Sequence, residues 1–124
     1  MPSKVAKNRT DHDVNVLYSG RLIQYPESQG INLNRFDRRL FRIDNGIPVM
    51  QNEYTHDPTK LPQKEDGTLW ITPKLIATLY AGVRNDFIFP ASHPNDGAFY
   101  KKDEHSPQHV PYFRKPGVLV GYPS

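Results

Sequence analysis

The sequence predicts an α+β fold in which strands dominate: a small antiparallel sheet with one packed helix and long extended N- and C-terminal segments. Three observations predict it. Residues 69–90 hold the only tryptophan, the one stretch with convincing helical periodicity and an apolar run after it. Residues 14–54 carry β-branched and aromatic runs interrupted by turn dipeptides. Six of the twelve prolines fall in residues 90–124, where missing N–H groups and fixed φ angles disfavour helix and ladder alike. The chain therefore divides into a basic arm over residues 1–13, a core over 14–90 and an extended strap rich in proline and aromatics over 91–124.

Taken in order, residues 1–10 carry Lys4, Lys7 and Arg9 with no acid and no hydrophobic period to hold them to a core. Residues 14–25 read as β, with Ser19-Gly20 forming a tight turn or a bulge in one long strand. Residues 35–42 are basic and aromatic, and we expect an irregular or short helical entry followed by a strand at 40–43. Asn45-Gly46 tolerates positive φ between apolar flanks, so a hairpin is expected there, its second arm running from 47 to 54. Pro48 cannot donate to a ladder and marks that arm as an edge.

Residues 55–68 are poor in apolar side chains and read as a loop, after which a strand is expected at 69–71. Thr72 can cap a helix over 73–83, Pro73 suits its first position, and Leu75, Ile76, Leu79, Tyr80 and Val83 recur at helical spacing. The spacing predicts that Leu75, Ile76 and Leu79 pack against the sheet. Phe87-Ile88-Phe89 reads as a short buried strand closed by Pro90, Pro94-Asn95-Asp96-Gly97 as a turn, and residues 118–120 as a last strand.

With 36% apolar residues in 124, the core must be modest. The net charge of +3 permits an anionic partner without requiring one. Absence of cysteine excludes disulfide staples, thiol nucleophiles and Cys-based zinc sites. The first thirty residues lack a continuous apolar segment of the signal-peptide kind, and the longest apolar run is too short to span a bilayer. An intracellular or virion location, without a cleavable signal or a membrane span, is the resulting expectation.

Catalytic motifs are missing: no serine sits in a glycine-flanked elbow, no glycine cluster is built to cradle phosphate, and Pro107 separates His105 from His109. No cofactor, metal ligand or catalytic residue is assigned. Arg35, Arg38, Arg39 and Arg42 offer planar forks to carboxylates or phosphates. Phe99, Tyr100, Tyr112, Phe113 and Tyr122 stud the strap with rings that bury much area at low entropy cost. Together these suggest a non-enzymatic structural component of a large assembly, such as a minor or cementing virion (capsid) protein or an accessory subunit of an intracellular complex. It would act by adhesion to other protein subunits through its termini. The alternative is a ribosomal-type nucleic-acid-binding protein that uses Lys4, Lys7, Arg9 and the 35–42 stretch on RNA or DNA phosphates. A small hydrolase or lyase would require scattered acids and histidines to converge in a pocket.

Overall fold

In a computed structural model of the chain, residues 4–28, 30–31, 35–44, 46–55, 58–102 and 104–117 are described. The fold is α+β and strand-rich, with small sheets and one helix. Two compact units divide the chain: one comprises Met1–Ile31 with Gln63–Ser124, and the other Asn32–Pro62.

The first unit is built on a four-stranded sheet of order β1-β6-β7-β8, from Val5–Asn8, Thr68–Ile71, Phe87–Pro90 and Phe113–Arg114. The β1, β6 and β7 strands run parallel, and β8 closes the β7 edge antiparallel. Part of the expected arm is thus an edge strand. Its residues, VAKN, have little intrinsic β pattern; pairing with β6 supplies what local propensity does not, and Lys7 is tied to Glu65 across 3.0 Å.

Ile71 and Ile88 are register partners on one sheet face. There they meet Val14 and Val16 of β2 (Val14–Tyr18), together with Val110, in the buried hydrophobic cluster. A hairpin joins β2 to β3 (Arg21–Tyr25), and both turn residues have positive φ, Ser19 at 50° and Gly20 at 73°. The 19–20 interruption is therefore a two-residue turn, whose twist matches the paired strands.

Alternation sends Phe87 and Phe89 to the opposite face, where Tyr80 packs edge-on against Phe87 and the Lys74 ammonium lies over Phe89. The helix α1 (Lys74–Leu79) sits there and is shorter than the 73–83 expected. Ile76 and Ala77 are its buried residues, while Leu79 is 47% exposed and Val83, beyond the helix, is 79% exposed. The buried stripe is rotated from the Leu75, Ile76, Leu79 face that periodicity suggests. A bent segment over 80–83 ends the helix, with Arg84 N–H donating to the Tyr80 carbonyl at 2.8 Å. Nor does Thr72 cap the helix: it is fully buried, its N–H donates to the Ile88 carbonyl, and the capping position falls to Pro73 without a side-chain bond.

The strap expected over residues 91–124 packs, in its described part, against this chain's own strands. Val110 is 1% exposed. Its N–H donates to the Asn15 carbonyl and its carbonyl accepts from Leu17 N–H, both at 2.9 Å. Ala91 N–H donates to the Tyr112 carbonyl, and Phe99 and His109 form a bridge. The prolines do prevent a continuous ladder, but short pairings to β2 and β7 satisfy much of the backbone demand within the chain. The strand expected at 118–120 lies outside the described residues.

The second unit holds a long antiparallel ribbon of β4 (Arg35–Asp44) and β5 (Ile47–Thr55), with a register irregularity between Leu40 and Arg42. Asp44 pairs with Ile47 and Gly46 has φ of 79°, as expected for the hairpin, while Asn45 lies outside the described residues. Strand therefore begins at Arg35, replacing the irregular entry expected there. A 3₁₀ turn at Pro58–Lys60 follows.

Candidate functional site

Of the residues singled out in the sequence, Arg35, Arg38, Arg39 and Arg42 lie on β4, opposite Thr55, Asn52, Gln51 and Val49 of β5. Gln51 and Asn52 are exposed, as are the apolar Leu40, Ile47 and Met50 of the same ribbon. Lys4 is exposed, Lys7 is on β1 over the Trp70 ring, and Arg9 follows β1 with its N–H bound to the Ile71 carbonyl. The basic residues thus belong to both units.

The aromatic residues do not project as a set of free anchors. Phe99 stacks on His109 with centroids 5.2 Å apart, and Tyr100 donates its hydroxyl to the Ser92 carbonyl. Phe113 packs edge-on against Tyr25, while Tyr112 lies under the Arg114 guanidinium. Tyr122 lies outside the described residues. Phe99 and Tyr112 keep large exposed fractions; Tyr100 and Phe113 are half-buried within their own fold.

Exposed apolar surface is found instead on the β2–β3 hairpin. Val14 and Tyr25 are register partners at its base and pack in or against the core. Towards the turn, Leu17, Tyr18, Leu22 and Ile23 are exposed, with Leu22 at 63%. Leu17 and Leu22 are directly paired. Among the described residues β3 has no strand on its outer side, so its amides and carbonyls offer a template for another strand.

A second feature arises from the parallel strands. Because β1, β6 and β7 point the same way, the segments that follow them emerge at one edge, where ligands gather in open α/β sheets. Residues from all three segments line adjoining cavities there. One, of 200 Å³, is bordered by Thr10, Asp11, His12, Thr72, Lys74 and Ser92 among others. The larger, of 540 Å³, shares Lys74 and Ser92 and adds His93, Asp96, Tyr100 and Arg114.

Local structure fixes several of these groups. A 3₁₀ turn, Pro94–Asp96, places His93 at its start, and the His93 Nδ1 accepts from Asn95 N–H at 3.0 Å, so a neutral ring carries its hydrogen on Nε2. Gly97 closes the turn with φ of 101°. Asp96 accepts from Nε and Nη2 of Arg114 and from the Tyr112 hydroxyl. Hydrogen bonding from Arg114 holds the Asp96 carboxyl below its usual range, desolvation opposes this, and Arg114 charge and the Tyr112 hydroxyl add to the lowering.

Sequence reasoning did not single out Lys74, His93, Asp96 or Arg114. They lie up to forty positions apart and form no local motif. The available signal was topological: a strand, helix and strand in succession, with a polar turn directly after the second strand. No group of three or more potential metal ligands occurs among the described residues. Among the same residues, no helix is long and apolar enough to cross a membrane.

Comparison with known protein families, curated proteins and solved structures finds no match to this chain.

Proposed function

We propose that the chain is a non-enzymatic structural subunit of a larger protein assembly, of the kind met in a minor or cementing virion protein or in an accessory subunit of an intracellular complex. The observation that carries this reading is the β2–β3 hairpin, anchored at its base and apolar towards its tip. Leu17 and Leu22 are 40% and 63% exposed, so covering them contributes that share of the roughly 1.5–3 kcal/mol that full burial of such a side chain is worth. The open β3 edge adds directional hydrogen bonds of the strand-addition kind. Adhesion in this proposal uses the hairpin rather than the rings first expected to provide it.

Copies of the chain are expected to meet through this edge. Light scattering of the isolated chain over a wide concentration range should show a mass that rises above the monomer. Leu22→Lys should return it to a monomer while leaving the Trp70-reported unfolding midpoint within about 0.5 kcal/mol, because the side chain is exposed. A chain that is monomeric throughout, or an association unchanged by Leu22→Lys, overturns the reading.

A second reading is favoured by the β4–β5 register, which sets Arg38 opposite Asn52 and Arg39 opposite Gln51. A two-stranded ribbon can enter a major groove, and Arg, Asn and Gln are residues that read base edges there. Binding to duplex DNA should then weaken steeply and linearly in log salt, and less steeply after Arg38→Gln and Arg39→Gln. Absence of salt-dependent binding excludes this reading and leaves the assembly proposal standing.

A further inference from the structure

We propose that the 540 Å³ cavity at the carboxyl ends of the parallel strands binds a small organic phosphate, whose phosphoryl group is held by Lys74, Arg114 and the Nε2–H of His93. Charge is the first argument. Lys74 and Arg114 line this cavity with one acid, Asp96, and that acid already accepts hydrogen bonds from Nε and Nη2 of Arg114. Lys74 forms no ion pair among the described residues; its ammonium lies over Phe89, 5.9 Å from the ring centroid. Asp11 belongs to the adjoining cavity, which also meets Lys74.

Preorganisation is the second argument. Asp96 grips one edge of the Arg114 guanidinium, Nη2 also donates to the Tyr112 hydroxyl at 3.2 Å, and the Tyr112 ring lies against its face, 5.3 Å from centroid to carbon, so the guanidinium is held before any ligand arrives. Nη1 then keeps its N–H donors with no acceptor among the described residues, and either can donate to a phosphate oxygen in a charge-assisted hydrogen bond. His93 adds a neutral donor, since its Nδ1 is committed to Asn95 N–H. Donors from the Arg114 Nη1, the Lys74 ammonium and one imidazole N–H come from three separate groups, which matches the several oxygens of a tetrahedral anion better than the two of a carboxylate.

Size and lining supply the remaining part. The volume lies in the range of sites for small organic molecules and exceeds what inorganic phosphate fills. Phe89, Pro90, Pro94 and Tyr100 give the rest of the wall apolar area for a ring-sized body. The Tyr100 hydroxyl, which donates to the Ser92 carbonyl, still has lone pairs to accept from a ligand hydroxyl.

The test is an NMR titration of the full chain with phenyl phosphate, inorganic phosphate and phenol. Phenyl phosphate should give saturable shifts of the His93 ring and of the Lys74 and Arg114 side chains, and bind about tenfold or more tightly than inorganic phosphate. Phenol should leave these signals unmoved. Lys74→Gln should weaken phenyl phosphate about tenfold, as should Arg114→Lys, which keeps the charge and loses the planar donors that Asp96 and Tyr112 orient. Lys102→Gln removes an exposed lysine outside the cavity and should change affinity less than about twofold. Amide spectra of the variants establish that each is folded. Equal weakening by Lys102→Gln, shifts that never saturate, or shifts confined to β4 and β5 would each overturn the proposal, the last by placing phosphate on the ribbon.

Discussion

Replacing Val110 by alanine tests whether the proline-rich segment belongs to the core. The side chain is 1% exposed and touches a cluster completed by Val14, Val16, Ile71 and Ile88, which come from β2, β6 and β7. Truncation removes two methyl groups, about 0.8 kcal/mol each by transfer. A cavity term adds to this, because strands held in their own ladders relax only partly, and the total comes to roughly 2–3 kcal/mol. Trp70 is the only tryptophan and lies on β6, so its fluorescence in a urea titration follows the unit that contains Val110. The midpoint should fall with little change in slope, whereas Val83→Ala, at a highly exposed position, should move it by less than about 0.5 kcal/mol. Hydrogen exchange adds a second reading, since the amides of Val110 and Leu17 are both bonded across this junction and should exchange slowly in the isolated chain. An unchanged midpoint for Val110→Ala, with amides from 99 to 114 exchanging at unprotected rates, would refute the placement.

The helix setting predicts that Ile76→Ala costs roughly 2–4 kcal/mol and Leu79→Ala less than about 1 kcal/mol, since Ile76 is buried and Leu79 half exposed; equal costs would show that the buried stripe is misplaced. Acid sensitivity should trace in part to Asp86, which is buried and bonded at 2.8 Å by both Nε and Nη2 of Arg84. Those bonds hold its carboxyl below the usual range against desolvation. A lowered folded-state pKa contributes stability above the unfolded value, near about 4, and that contribution is lost as pH falls through the folded value. Asp86→Asn should therefore cost on the order of 2 kcal/mol at neutral pH and flatten this acid-dependent part of the stability profile. Profiles that stay parallel below about pH 4 would assign the acid response to other groups.

Where a signal was local, the sequence by itself determined the outcome. Gly20 and Gly46 sit at positive φ because a two-residue hairpin turn demands it, and Phe87, Ile88 and Phe89 form a strand because an apolar run of that length is stable only when covered on both faces. Pro94-Asn95-Asp96-Gly97 turns for the same local reasons. Periodicity found the helix but neither its end nor its buried stripe, because Leu75, Ile76, Leu79 and Tyr80 all suit a helix surface and only the position of Phe87 and Phe89 selects which of them are covered. Tertiary structure alone made a strand of residues 5–8, whose ladder partner is more than sixty positions away. It likewise drew Val110 beside Val16, a contact that proline content argues against and that long-range burial decides. The cavity depends on the same kind of long-range order: Lys74, His93 and Arg114 have no common motif; Lys74 and His93 follow parallel strands that end at one edge, and the antiparallel pairing of β8 with β7 brings Arg114 to them.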